Sequence, residues 1–342
     1  MRNFFVFSVI YLLAAVAVLT MLHDDLPQVV MAAVVSTRAM MSAFVSLGRA
    51  VMIPLIIALL AMLAVPALRR HLSEIGLALL GSIVLQVAFS LLKTSIPLLV
   101  PFYADTSLAA LDTWMHAGKD PWAMLHDSSV AVSALWAERI YTLYWVYPAL
   151  LFPMFLVVAD RSAERRRRYL LLYAASWVVI GNLVALAGSS VGPVYYDALL
   201  GGDRFAALSG ALDSSGIADS RIGALQSVLW QARQAGGIQL GTGISAFPSM
   251  HVAIAAIVGL YMAERSRWLI LPGLACVLSV LHLSVFTGYH YAVDGYASVL
   301  LIGLGAWALR RYPQPRLAQL VHAPFRLPGA VPELRAASQR RD

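Results

Sequence analysis

The feature that most constrains this chain is a series of long, almost uninterrupted apolar segments. Of its 342 residues, 60% are hydrophobic and only 13% are charged. A helix needs about 20 consecutive apolar residues to cross the hydrocarbon core of a bilayer. Eight segments approach or reach that length, at 4–22, 50–68, 74–92, 139–159, 169–188, 249–263, 268–288 and 291–309. The sequence therefore predicts an all-α, polytopic membrane bundle with about eight transmembrane helices.

The composition also excludes other classes of protein. A soluble domain carries about 25% charged residues, so a soluble single-domain enzyme does not fit. A disordered protein that binds nucleic acid through a basic tail is excluded as well, despite the net charge of +7. The single cysteine, Cys276, lies in an apolar run and provides neither a disulfide framework nor a cysteine-based metal site. The segment 29–47 is interrupted by Arg38 and is predicted to be interfacial or re-entrant, with a ninth span as the alternative.

Basic residues orient the predicted spans. Seventeen Lys and Arg residues fall in segments on one side and eight on the other, and every short loop that contains Arg lies on the first side. Basic residues concentrate in cytoplasmic loops. We therefore expect a multi-pass plasma (inner) membrane protein with both termini in the cytoplasm. A ninth span at 29–47 would break this alternation. The first span lacks a cleavage signal after Leu22 and is expected to remain as an anchor.

Three long segments are predicted to face outward, at 23–49, 93–138 and 189–248. Long loops in a compact membrane protein are often functional. The tail at 310–342 is basic and rich in proline, and it is expected to be disordered or to lie on the anionic inner leaflet. The outward segments are therefore the expected location of functional residues.

Two short stretches concentrate polar residues beside apolar helices. Pro248 and Ser249 precede an apolar run, and Ser is a good helix cap, so His251 is expected in a first helical turn. His290 and Asp294 are four residues apart at the start of the last span, so they share a helix face. The 38 residues between the two histidines are enough for two crossings of the membrane. Both histidines should therefore lie as neighbours at the outward face.

This pattern resembles the phosphatidic acid phosphatase type 2 superfamily. That family combines a Pro-Ser-x-His motif with a later His-x-x-x-Asp motif, matched here by Pro248, Ser249, His251, His290 and Asp294. More narrowly, the chain resembles the inositolphosphotransferase branch, the inositol phosphorylceramide synthase-like proteins, since Met250 stands where phosphatases have Gly. The segment 189–196 is similar to the first motif of bacterial members.

The resemblance implies a domain organisation and a reaction. Residues 1–138 would be N-terminal spans with an outward loop, 139–309 the catalytic core and 310–342 the tail. The core would move a phospho-headgroup between a lipid and a hydroxyl acceptor. His290 would form a phosphohistidine, His251 would transfer protons, and Asp294 would stabilise the charge on His290. The implied substrate-binding residues are Ser249, Gly192, Pro193, Tyr195 and Tyr196.

The implied partners are a lipid phosphate or phospholipid and a small hydroxyl acceptor, such as inositol or a lipid alcohol. No metal, cofactor or nucleic acid is implied. Two cations of the phosphatase pattern are missing: no Arg precedes Pro193, and Ser284 stands where the third motif has Arg. The outward candidates to hold the phosphate are then Arg139, Arg204, Arg221 and Arg233.

Three alternatives stay open. The first is a lipid phosphate or diphosphate phosphatase, which differs only in that water, not an alcohol, attacks the intermediate. The second is a metal site built from the two histidines and the aspartate. The third is a non-catalytic transporter, which would be expected to place ionisable residues at mid-membrane in several spans. The clustering of ionisable residues at one face favours an enzyme.

The predicted orientation can be tested by cysteine labelling in intact cells. In a protein whose Cys276 is replaced, a cysteine at Asp213 should react with an impermeant thiol reagent and one at Arg166 should not. Labelling at 166 but not at 213 would reverse the orientation.

Overall fold

The computed structural model describes residues 1–22, 71–128, 132–235 and 243–311, together with single positions between 23 and 70. In these residues the chain forms helices and loops, without strands. The predicted span at 50–68, the segment 29–47 and the tail beyond 311 lie outside the described residues. The all-helical prediction is confirmed for the described part of the chain.

The described helices run in chain order as α1 (Arg2–Leu22), α2 (Leu72–Leu99), α3 (Asp105–Met115), α4 (Pro121–His126), α5 (Ala134–Ala159), α6 (Ala163–Ala187), α7 (Pro193–Leu200), α8 (Ala206–Ser214), α9 (Arg221–Ala235), α10 (Met250–Arg265), α11 (Arg267–Phe286) and α12 (Ala292–Arg311). Six of these, α1, α2, α5, α6, α11 and α12, are long and apolar enough to cross a membrane. The helix at the predicted span 249–263, α10, has only 16 residues. The described residues thus account for six of about eight predicted spans.

Helix α10 lies at the centre of the bundle, in contact with α5, α6, α11 and α12. Its approach to α11 depends on two glycines that face each other. A Cβ on Gly259 would lie 3.0 Å from the carbonyl oxygen of Gly273, and a Cβ on Gly273 would lie 2.9 Å from that of Gly259. Small residues let helix backbones approach closely in a membrane. The α10–α11 hairpin is therefore tight, and it returns the chain to the end at which α10 begins, called here the site end.

Helix α1 packs along α2 and fixes its position against the rest of the bundle. The ring of Phe4 occupies the space that a side chain on Gly81 would need. The Tyr11 hydroxyl donates a hydrogen bond to Asn182 of α6, and the Asn182 amide donates one to the carbonyl of Phe89 at 3.4 Å. These contacts join α1, α2 and α6, so α2 reaches the site end in a defined position.

The segments predicted only as long outward loops contain short helices of their own. Helices α3, α4, α8 and α9 contribute to a hydrophobic cluster at the site end, together with the ends of α5, α10, α11 and α12 that lie there. Phe205, Leu208, Ile217 and Ile222 are among its buried members. This cluster forms a cap that holds the two motif-bearing segments.

Two buried aspartates of α3 tie this cap to the start of α12. The Asp112 carboxylate accepts hydrogen bonds from the backbone N–H groups of Ala292 at 3.1 Å and Val293 at 3.0 Å. These are N–H groups of a first helical turn, which have no partner within the helix. Asp105 accepts from the Tyr291 hydroxyl at 2.9 Å and from the N–H groups of Val191 and Gly192. Helix α3 therefore anchors the loop at 191–192 and the segment at 291–293, which follows His290.

We expect Asp112→Ala to destabilise the folded protein by about 2–4 kcal/mol, because two buried N–H groups lose their acceptor. Thermal unfolding in detergent measures the effect. Asp127→Ala, at an exposed position just after α4, is the matched control, and its unfolding midpoint should stay close to that of the parent protein. Equal unfolding midpoints for the Asp112 and Asp127 variants would contradict this role for Asp112.

Candidate active site

The two histidines of the motifs come together at the site end. His251 lies in the first turn of α10, and His290 lies just before α12. Their ring centroids are 6.4 Å apart. The prediction that the α10–α11 hairpin makes these residues neighbours is confirmed by this distance.

The side chain of Asp294 lies directly behind His290. The Nδ1 atom of His290 is 3.2 Å from Oδ2 of Asp294, and the same oxygen accepts from the backbone N–H of Tyr291 at 3.1 Å. Asp294 is fully buried, and its Oδ1 has no hydrogen-bond partner among the described residues. A carboxylate at Nδ1 favours the tautomer with the proton on that nitrogen. The lone pair of His290 is then on Nε2.

The environment of His290 keeps the imidazole uncharged. Burial lowers the pKa of His290 far below its ordinary value, and the positive charge of Lys93 lowers it further. A hydrogen bond with the backbone of Ala246 acts in the opposite direction but does not restore the pKa. A neutral imidazole with an unprotonated nitrogen is the nucleophilic form of histidine.

His251 is held between two aromatic rings of α5. The Tyr141 ring stacks on it at a centroid distance of 4.1 Å and the Trp145 ring at 4.0 Å. The Trp145 indole N–H also donates to the carbonyl of His251 at 3.2 Å. Tyr141 lies in a π-helical segment, Arg139–Tyr144, and such segments often occur at functional sites. The sandwich fixes the plane of the His251 ring.

The segment before α7 joins the two motif-bearing loops. The Ser190 carbonyl accepts from the N–H of Ala246 at 2.9 Å, and its hydroxyl accepts from the N–H of Phe247 at 3.0 Å. Gly192 has a φ of +85°, and a Cβ there would lie only 2.3 Å from the carbonyl oxygen of Tyr289. Glycine is thus required by both backbone conformation and space.

The predicted substrate-binding residues take different positions. Tyr195 lines a cavity beside the histidines, and its hydroxyl donates to the carbonyl of Gln226 at 3.0 Å. Pro193 begins α7, and Tyr196 packs against Phe205. Gly192 is buried in the loop. Ser249 is fully buried, and its hydroxyl caps α10 by accepting from the N–H of Val252. Of these five, the structure puts only Tyr195 on the cavity wall.

The cavity has a volume of about 200 Å³. Both histidines line it, and much of the rest of its wall is aromatic or aliphatic. The lining includes Phe89, Trp145, Trp177, Tyr289, Met250 and Leu225. Two polar atoms at this wall, the Ser245 hydroxyl and the Tyr141 hydroxyl, are buried without a partner in the described part of the chain.

The four arginines that the sequence indicates as phosphate-binding candidates do not line this cavity. Arg204 forms a bidentate pair with Asp120 at 2.6 Å, and Arg221 pairs with Glu138 at 3.3 Å. Arg139 lies over the Trp136 ring, and Arg233 lies over the Phe102 ring.

The charged side chain on the cavity wall is instead Lys93 of α2. The predicted span 74–92 ends one residue before it, whereas α2 continues to Leu99 and carries Lys93 into the site. No motif marks this lysine, so the sequence signal for it is only its place at the end of an apolar run. Within the described ranges, no group of three or more His, Cys, Asp or Glu residues is arranged to hold a metal ion.

Comparison with known proteins agrees with the motif-based resemblance at the level of the family. A family model described as the PAP2 superfamily matches residues 106–308, which is more than half of the chain. Neither the curated proteins nor the solved structures include a match to this chain. The matched region runs from α3 to α12 and contains His251, His290 and Asp294. The chain therefore belongs to the PAP2 superfamily, whose members are generally phosphatases and phosphotransferases.

Proposed function

We propose that this protein transfers a phospho-headgroup from a phospholipid to a hydroxyl acceptor, through a phosphohistidine on His290. The observation that carries the proposal is the shared cavity wall of His251 and His290, with the Asp294 carboxylate 3.2 Å behind the second ring. One imidazole is positioned for attack and the other for proton transfer. No metal or cofactor takes part in this scheme.

The first chemical step makes a bond between Nε2 of His290 and phosphorus and breaks the bond to the leaving alcohol. The departing oxygen takes a proton from His251, and the positive imidazole of His290 is balanced by Asp294. In the second step the acceptor hydroxyl gives its proton to His251 and attacks phosphorus, which breaks the P–N bond. Both histidines then return to their starting protonation states.

The character of the cavity favours an alcohol over water as the acceptor. Its wall is largely aromatic and aliphatic, and Met250 is 6% exposed, with its sulfur packed near Gly181. Excluding water from a reactive intermediate prevents its hydrolysis. The substrate would enter sideways from the bilayer, since its acyl chains are apolar. We further propose that this end of the bundle faces away from the cytoplasm, as the distribution of basic residues indicates.

The proposal is tested with purified protein in detergent and phospholipids labelled in the headgroup. Reactions are run with and without inositol and with and without diacylglycerol. Transfer is supported by a labelled product that joins the phospho-headgroup to the acceptor, which is a lipid with diacylglycerol and a water-soluble diester with inositol. Release of free headgroup phosphate alone, under every acceptor condition, would show that water is the acceptor and would contradict transfer.

Substitution of each of the two histidines should block a different step of the reaction. With a labelled nitrophenyl phosphodiester, His290→Gln should form no acid-labile phosphoenzyme. His251→Gln should form it and accumulate it, because nitrophenolate leaves without protonation while the acceptor lacks a base. Asp294→Asn should retain weak activity. The measurement is a quench without acid followed by mapping of the labelled peptide.

His71→Gln, at the far end of α2, is the control and should behave as the parent protein. Label on His251, or label retained in His290→Gln, would reverse the assignment of roles. Absence of label in every variant, with full turnover in the parent, would contradict a covalent intermediate.

Met250 provides a separate test of water exclusion. Met250→Gly should open space beside His290 and raise the ratio of hydrolysis to transfer, whereas Met250→Leu keeps the volume and should leave the ratio unchanged. Both products are measured in one reaction with labelled phospholipid. An unchanged ratio in a folded, active Met250→Gly protein would remove Met250 from the account of specificity.

A further inference from the structure

We propose that Lys93 binds the phosphoryl group in the cavity, and that this single positive charge selects a singly charged phosphodiester over a doubly charged phosphomonoester. The inference rests on the proposed function and names the charge class of its substrate. It assigns a substrate-binding role to a residue that lies outside the matched family region at 106–308.

The position of Lys93 carries the argument. It lines the same cavity as His251 and His290, on a helix that no motif covers. Its ammonium lies 5.7 Å from the centroid of the Phe89 ring, one turn earlier on α2. No acidic side chain in the described ranges forms an ion pair with it. The positive charge of Lys93 is also close enough to His290 to lower the pKa of that imidazole.

Lys93 is half-buried, and an ammonium without an anionic partner on a largely apolar wall is unfavourable for the folded protein. Moving a charge out of water is strongly unfavourable unless a partner compensates it. Ionisable residues at membrane depth are rare and usually serve substrate binding or transport. A bound phosphoryl oxygen would supply the missing anion, and the three N–H donors of lysine suit that partner.

Other cations do not fill this role among the described residues. Ser284 stands where the phosphatase pattern has Arg, and its hydroxyl donates to the carbonyl of Leu281 at 2.8 Å. The outward arginines lie against Asp120, Glu138 and aromatic rings, away from the cavity wall. The whole sequence contains two lysines, Lys93 and Lys119, and Lys119 is exposed after α3.

The charge balance then distinguishes substrates. A phosphodiester carries one negative charge near neutral pH, which one lysine neutralises. A phosphomonoester carries about −1.5 to −2 at pH 7, with a second pKa near 6. The excess negative charge would remain in a largely aromatic cavity, where an unpaired charge is unfavourable. The site should therefore bind a diester lipid more tightly than the matched monoester lipid.

Binding is measured from tryptophan fluorescence, because Trp145 and Trp177 line the cavity. The probes are dihexanoyl phosphatidylglycerol, a diester, and dihexanoyl phosphatidic acid, a monoester with the same acyl chains. At pH 7.5 the parent protein should bind the diester at least about tenfold more tightly, a difference equivalent to one charge-paired contact. The preference should shrink at pH 5.5, where the monoester carries close to one charge.

Lys93→Met should weaken diester binding at least about tenfold, whereas Lys93→Arg keeps the charge and should retain most of it. Lys119→Met is the matched control and should bind as the parent does. Lys93→Met should not unfold at a lower temperature than the parent, because the half-buried ammonium has no ion-pair partner among the described residues to lose. A merely structural lysine would give a lower unfolding temperature together with any loss of binding.

A second measurement covers the case in which Lys93→Met does not fold. In the Lys119→Met protein, Lys93 is the only side-chain amine, and the diester should protect it from reductive methylation. Unchanged diester binding in folded Lys93→Met, or methylation of Lys93 unaffected by the diester, would overturn its role. Equal binding of diester and monoester by the parent at pH 7.5 would overturn the selection by charge.

These outcomes test the role of Lys93 independently of the proposed function. Lys93-dependent binding of the diester without any transferred or hydrolysed product would refute the proposed function and leave the binding role of Lys93 intact. Lipid transfer that proceeds equally well in Lys93→Met would refute the role of Lys93 and leave the proposed function intact.

Discussion

The contact between the first turns of α10 and α12 determines the rest of the site. The N–H of Ser249 donates to the carbonyl of Asp294 at 3.3 Å, and the Ser298 hydroxyl lies 2.9 Å from the Ser249 carbonyl and 2.8 Å from that of Asp294. These bonds join the helix that carries His251 to the helix that carries Asp294. Because His290 is held by Asp294, the distance between the two histidines follows from this one contact. The tight α10–α11 hairpin and the aspartates of α3 stabilise it from two sides.

The site combines polar groups that an apolar bundle would otherwise exclude. Asp294 has an oxygen without a partner in the described part of the chain, His290 is neutral because of burial, and Lys93 lacks a paired carboxylate there. An ammonium without an ion-pair partner among the described residues, on the same cavity wall as a neutral imidazole, is best explained by a ligand that pairs with the ammonium. The phosphoryl group proposed above carries the negative charge and the acceptor oxygens that the Lys93 ammonium would bind.

Much of this arrangement could be predicted from the sequence, because its main determinants are local. The spacing of His290 and Asp294, the cap at Ser249 and the length of the α10–α11 hairpin are all readable from short stretches. The positions of Lys93 and Tyr141 could not be predicted in this way. Lys93 depends on where α2 ends and how α1 and α6 hold it, and Tyr141 depends on a π-helical segment with no clear sequence signature. Asp105 binds a residue 186 positions away in sequence and Asp112 one 180 positions away, and such long-range pairing leaves no local pattern.

The stereochemical course at phosphorus tests the central claim, a two-step transfer through His290, most directly. A short-chain phospholipid with a phosphorothioate diester of known configuration is converted by the parent protein, and the configuration of the product lipid is determined. Each in-line displacement inverts phosphorus, so a covalent intermediate predicts net retention. Net inversion would show that the acceptor attacks the lipid directly and would contradict the account.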